Sequence, residues 1–165
     1  VSGFSGAPIP EKMQPVMIWG GDKRILGIDG NYADIVSINF NNSAGKIGPE
    51  GVGSGTSAGT LQKLEWIKAG AGDRFSEIEI EIAAYFTVIT EHSDVVANEF
   101  AKLFNLSSSE ILDHPHCLIG QTSEVIEKIQ QRREEFGINY ITFGGAAIDD
   151  VAPIVEALSG KWTAP

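Results

Sequence analysis

Apolar positions along the chain follow two alternating rhythms. Val16–Trp19 is a short unbroken apolar run that stops at Gly20-Gly21, and Ala33–Phe40 and Ile138–Phe143 are similar runs. Runs of this length and kind predict strands buried on both faces. Phe75–Thr90 begins with strict alternation, Ile78, Ile80 and Ile82 against Glu77, Glu79 and Glu81, and then turns wholly apolar. It predicts one long strand whose first part lies near solvent and whose second part is inside.

Between these runs the period lengthens to three or four residues. Asp22 is a plausible N-cap for a helix through Tyr32, which Gly27 and Gly30 weaken. Leu61, Leu64 and Ile67 mark a helix over Thr60–Gly72. Ser93–Phe104 reads as a helix capped by Ser93 or Asp94, and Ser107–Leu112 as a short second one. Thr122–Gly137 is the clearest helix, capped by Thr122 or Ser123, striped by Val125, Ile126, Ile129 and Phe136, and ended by Gly137. Asp149–Leu158 closes the series, with Pro153 about a turn inside its start.

Residues 1–15 form an extended, proline-bearing lead-in, and 16–162 form one domain. Asn41–Gly59, with six glycines and no apolar period, reads as a long Gly-rich loop. The order is β-α-β-α-β-α-α-β-α, which implies an α/β fold with parallel pairing and right-handed crossovers. Four such units suit either a small open sheet or part of a (β/α)8 barrel.

Bulk properties narrow the function classes. A chain of 165 residues holds one ordinary domain. A net charge of −10 with no basic stripe argues against a nucleic-acid partner. No run approaches the roughly 20 apolar residues of a membrane-spanning helix. The N-terminal residues lack a basic region followed by an apolar core, and a single cysteine, Cys117, fits a reducing compartment, so a cytoplasmic protein is expected.

Several segments, in order, carry a resemblance. They are "PVMIWGGDKRILGIDGNYADIVSIN", "TLQKLEWIKAGAGDRFSEIEIEI", "HCLIGQTSEVIEKIQQRREEFGINYITF" and "APIVEALSGKW". From about residue 6 to residue 162 the chain resembles the second half of the luciferase-like monooxygenase superfamily, and most of all its coenzyme F420-dependent branch. The cues are the glycine-rich strand end followed by a basic "KR.L", the "AGDRF" before an acidic strand, and the "LIG" that opens a helix ending in "FGI.Y". The resemblance implies a half of a (β/α)8 barrel, its four βα units equivalent to strands five to eight, and a flavin- or F420-dependent oxidoreductase acting on a small-molecule substrate with F420 or FMN as cofactor. Nothing in the chain resembles the first four strands. Half a barrel exposes two parallel edge strands, which predicts an obligate assembly: a homodimer closing the ring by a two-fold axis, or a second chain supplying the missing half. The alternative is a catalytically inactive half-barrel that serves as a binding or assembly module.

Sites in this fold lie at the carboxyl ends of the strands. By resemblance, Ile18, Trp19, Gly20 and Gly21 would lie against the cofactor ring; two glycines also suffice for a tight βα turn. Asn39 and Asn41 carry amides able to bond a carbonyl-rich ring edge, or simply form a turn. Gly144-Gly145 before a helix offers N–H groups to an anion, or again only a turn. Lys23-Arg24 could neutralise the acidic tail of the cofactor, or form a solvated first turn. His114 and His116 flank a proline without a second ligand pair, so no metal site is expected. Glu77, Glu79 and Glu81 read as a solvated strand face. No residue presents itself as a catalytic acid or base.

Overall fold

A computed structural model describes residues 11, 13–43 and 45–160. The expected lead-in therefore lies almost wholly outside the described residues, as do Lys161 and Trp162 at the end of the domain. The first unit is strand β1 (Met17–Gly20) and helix α1 (Lys23–Tyr32), the second strand β2 (Ile35–Ile38) and helix α3 (Ser57–Ala71), with a short helix α2 (Pro49–Gly53) before it. Helix α2 and the early start of α3 shorten the glycine-rich connection that the composition suggested. Asp22 caps α1 as expected, its Oδ1 accepting from the N–H groups of Arg24 and Ile25 at 2.9 and 3.2 Å.

Gly30 of α1 and Gly70 of α3 serve the packing of the two helices on each other. A Cβ at Gly30 would lie 2.3 Å from the Ile67 carbonyl oxygen, and one at Gly70 would lie 2.0 Å from that of Gly27. Their weak helix propensity is the cost of bringing two helix backbones together.

The long strand expected over 75–90 is divided. Gly72–Glu77 is a 3-10 turn, followed by strand β3 (Glu79–Ala84) and, beyond a break at Tyr85, strand β4 (Phe86–Ile89). The Tyr85 N–H bonds back to the Ala83 oxygen at 3.0 Å and Thr87 Oγ1 to that of Ala84 at 2.9 Å, turning the chain into a second sheet. Helices α4 (Ser93–Phe104) and α5 (Ser108–Asp113) follow. Next comes strand β5 (Cys117–Gly120), an element missed in the pattern because its four apolar residues hide behind "DHPH". Helix α6 (Thr122–Phe136) is capped by Gln121 in a capping box with Glu124. Strand β6 (Ile138–Phe143) and helix α7 (Ile148–Leu158) complete the chain.

The main sheet is wholly parallel, in the order β1-β2-β3-β6, and β4-β5 form a separate parallel pair. Four parallel strands in this order, β1, β2 and β6 each leading into helices and β3 into β4 of the second sheet, are the arc of a barrel expected from the sequence. Val36, Ile38, Ile80 and Ile82 pack with Leu26, Leu64 and Ile67 on the helix-covered face. Pairing of β3 with β6 slips between Ile80 and Glu81, where Asn139 is the extra residue and its Oδ1 accepts from the Ile80 N–H at 2.9 Å. β1 and β6 each pair on one side only among the described strands. Beside β6 lies an open groove of about 290 Å³, lined by Ile141, Phe143, Ile154 and Leu158 among others.

Candidate functional site

The carboxyl ends of β1 and β2 are joined by the Asn39 N–H, which bonds to the Gly20 oxygen at 2.8 Å. Above them opens a cleft of about 340 Å³ lined by Trp19, Gly20, Gly21, Asp22, Ile25 and the segment Asn39–Ser43. This lies near the lower end of the ~300–1,000 Å³ of small-molecule pockets, enough for a ring system but not for a long tail. Of the residues singled out in the sequence, Trp19, Gly20, Gly21, Asn39 and Asn41 thus meet at one place. Ile18 points the other way and packs on the core beneath the helices.

Both glycines are also required by the protein itself. A Cβ on Gly20 would lie 2.5 Å from Asp29 Oδ2 and 2.8 Å from Ile25 Cγ2, and one on Gly21 would lie 2.0 Å from the Phe40 carbonyl oxygen. The tight turn therefore accounts for the glycine pair, whatever the cleft holds. Trp19 stands exposed at the rim, its Nε1 on Met17 Sδ at 3.1 Å.

Asn39 is the best-fixed polar group of the cleft. Its Oδ1 accepts from the Phe40 N–H at 2.7 Å and from the Tyr85 hydroxyl at 3.1 Å. Its carbonyl oxygen accepts from Lys63 Nζ at 2.6 Å. Two donors on Oδ1 orient the side-chain amide so that Nδ2 is left to donate. Asn41 behaves as a turn residue: its N–H bonds Ser54 Oγ and its Oδ1 accepts from the Ser43 N–H. Lys23 and Arg24 occupy the exposed first turn of α1.

Gly144-Gly145 stands outside this cleft but abuts the same network. The Gly144 N–H bonds the Ala84 oxygen at 2.9 Å, and a Cβ on Gly144 would meet the Tyr85 backbone at 3.3 Å. Gly145 has φ +77°, a conformation that favours glycine. Tyr85 thus links the ends of β2, β3 and β6.

Below the network lie His114 and His116, weighed in the sequence only as metal ligands, together with the buried Lys63, which the sequence analysis did not single out. His114 Nε2 bonds the Val52 oxygen at 2.9 Å, and its Nδ1 accepts from the His116 N–H at 3.2 Å. His116 Nδ1 bonds the Ala83 oxygen at 2.8 Å, leaving a buried Nε2 with no partner, and its ring lies 4.3 Å from that of Phe40. Burial pushes His114 down to about 4 and His116 well below the ordinary value. Burial likewise lowers the Lys63 amine to about 8. Both histidines are therefore neutral packing groups at neutral pH. Among the described residues no group of three or more His, Cys, Asp or Glu could hold a metal ion. Lys63 was legible in principle: Thr60, Lys63, Leu64 and Ile67 share one helical stripe, and all four are buried.

Glu81 corrects the solvated reading of its strand. It is 2% exposed and its Oε2 accepts from Ser37 Oγ on the face turned away from the helices. Asp29, on α1 behind Gly20, is buried with neither carboxylate oxygen bonded, and burial, with Asp22 nearby, raises it to about 6.

No protein-family model matches the chain, and no curated protein matches it in sequence. Solved structures do match in fold. The coenzyme F420-dependent tetrahydromethanopterin reductase of Methanopyrus kandleri aligns with a TM-score of 0.53 and 15% identity, over 85% of this chain and 48% of its own. An F420-dependent secondary alcohol dehydrogenase, in complex with an F420-acetone adduct, gives 0.53 and 16%, over 88% and 47%. The long-chain alkane monooxygenase LadA gives 0.53 and 13%, over 85% and 38%. The chain thus shares its βα fold with part of each of these structures. The chain spans about half the length of the structures it matches, or less, which fits half a barrel.

Proposed function

We propose that this chain is one half of an F420- or flavin-dependent oxidoreductase of the luciferase-like monooxygenase type, its ring completed by another half, either a second copy or a different chain. The observation that carries the reading is the cleft at the carboxyl ends of β1 and β2, where two donors on Oδ1 fix the Asn39 amide beside the Gly20-Gly21 turn. A planar ring rich in carbonyl groups fits such a wall: an oriented amide donor at one edge, bare backbone beneath, and the Trp19 indole at the rim. The bound deazaflavin or flavin would supply the hydride chemistry. The chain's own part is orientation: Asn39 bonds the ring edge, and Tyr85 and the Phe40 N–H keep its amide from turning. The completing half would supply the rest of the pocket and the small-molecule substrate contacts.

A second reading is a half-barrel without chemistry that acts as a binding or assembly module. It is favoured by the packing account of both glycines in the turn. Titration of F420 and of FMN into the protein, followed by fluorescence, separates the two. Micromolar retention, weakened at least ~10-fold by Asn39→Leu in a protein that still folds, supports the oxidoreductase. A folded assembly that retains neither cofactor leaves the module.

A further inference from the structure

Lys63 is a buried charge bonded to no opposite charge. It is 2% exposed on the inner stripe of α3, and its Nζ donates to the Asn39 carbonyl oxygen at 2.6 Å. Every aspartate and glutamate of the chain lies among the described residues, and none of them bonds it. Around it stand His114 and His116, both neutral, and beyond them Arg132, committed to backbone oxygens. Tyr85 reaches the same asparagine but gives its hydroxyl proton to Oδ1. None of these groups offsets a positive charge. A bare ammonium inside a protein costs more than an apolar side chain of the same length. Burial lowers its value to about 8, which still leaves it charged at neutral pH.

That charge stands one peptide away from the cleft. The Asn39 oxygen that accepts from Lys63 lies 3.1 Å from where a Cβ of Gly21 would stand. The N–H of the same peptide, that of Phe40, donates to Asn39 Oδ1 at 2.7 Å. An ammonium on the carbonyl of a peptide polarises it and strengthens the bond made by its N–H. Lys63 therefore acts on the Asn39 amide through the backbone, and on the wall formed by Asn39 and Gly21 as a fixed charge shielded from water. We propose that Lys63 is a positioning residue of this cleft, whose buried charge makes the site favour a ring that carries negative charge over the same ring uncharged. The inference rests on the oxidoreductase reading and deepens it. It names the state of the cofactor held best, the reduced one, whose ring loses a proton near neutrality and becomes an anion.

FMN is the probe, because its oxidised ring is uncharged and its reduced ring is an anion slightly above neutral pH. Dissociation constants of both forms are measured on the full chain, without oxygen, at about pH 7.5 for wild type and Lys63→Met. The ratio of the two constants removes whatever the phosphate and the general fit contribute. Wild type is expected to favour the reduced form, and Lys63→Met to lose at least ~10-fold of that preference. A lysine with a merely structural role would weaken both forms alike, so an unchanged ratio overturns the inference. Should Lys63→Met fail to fold, wild type is compared at about pH 7.5 and 9.5, where His114 and His116 stay neutral. The preference is expected to drop at least ~5-fold as the ammonium loses its proton, and a constant ratio overturns the inference. A folded protein that binds both forms equally removes this inference alone. One that binds neither removes the oxidoreductase reading with it.

Discussion

A methyl group added at Gly21 would meet a backbone oxygen, that of Phe40, which no rotamer change can move aside. Gly21→Ala is therefore expected to cost about 1–3 kcal/mol, read as a lower urea midpoint, because the β1–α1 turn must part from the end of β2. A loss confined to cofactor retention, with stability unchanged, would contradict this packing account. His114 and His116 make a prediction of opposite origin. Their folded values lie below the ordinary 6.5, so below that pH the unfolded chain takes up protons that the folded chain refuses. Stability should hold above about pH 6.5 and fall as pH drops towards 4. Asp29 opposes part of this loss, since its raised value of about 6 lets the folded state hold a proton that the unfolded carboxyl has already released. Asp29→Asn should stabilise the protein at pH 7 by about 1 kcal/mol and steepen the acid loss, both measurable by urea titration across pH. At this scale the sequence drew attention to Gly20, Gly21 and Asn39, but not to the contacts that fix them. The clash at Gly21 and the burial of the histidines depend on contacts between residues 19 and 33 positions apart.

Elements were readable where one face alone decides their pattern. Helices α1, α4, α6 and α7 and strands β1, β2 and β6 follow from period, although α4 takes His92 rather than Ser93 or Asp94 as its N-cap, and α6 takes Gln121 rather than Thr122 or Ser123. The β3–β4 break was not readable, since Ala84 and Phe86 continue the apolar run across Tyr85 without a glycine or proline. Strand β5 depends on a partner it meets only in space: β4, and behind it Arg132. That buried guanidinium donates to the carbonyl oxygens of His114, Pro115 and Cys117 at 2.9, 3.1 and 2.6 Å, holding the turn that delivers β5 to β4. Arg132→Met removes the guanidinium donor from the Pro115 and Cys117 oxygens, and one of two donors from that of His114, which also accepts from the Cys117 N–H at 2.8 Å. It should cost at least about 2 kcal/mol and speed amide exchange over Cys117–Gly120 more than over β2.

For the whole molecule, the arc of four parallel strands was legible because alternating apolar runs and amphipathic helices permit few other arrangements. The second small sheet was not, since its strands are short and its pairing crosses two helices. The open borders give a further test. Amides in β2 and β3, paired on both sides, should exchange at least ~100-fold more slowly than the outward-pointing amides of β1 and β6 in the isolated chain; equal protection would mean that something already covers the borders. The groove beside β6 and the exposed Ile25, Ile28 and Tyr32 beside β1 mark where a completing half would bury apolar surface. One extra residue sets the phase of that last strand. Because Asn139 is skipped in the pairing, Ile138, Ile141 and Phe143 all reach the helices although their spacing is three and then two. Pairing that single asparagine in the ladder, rather than skipping it, would put the strand half a pleat out of step, sending Tyr140 and Thr142 towards the helices and Ile141 and Phe143 into the lumen, so the lining of any finished ring hangs on a residue left out of the pairing.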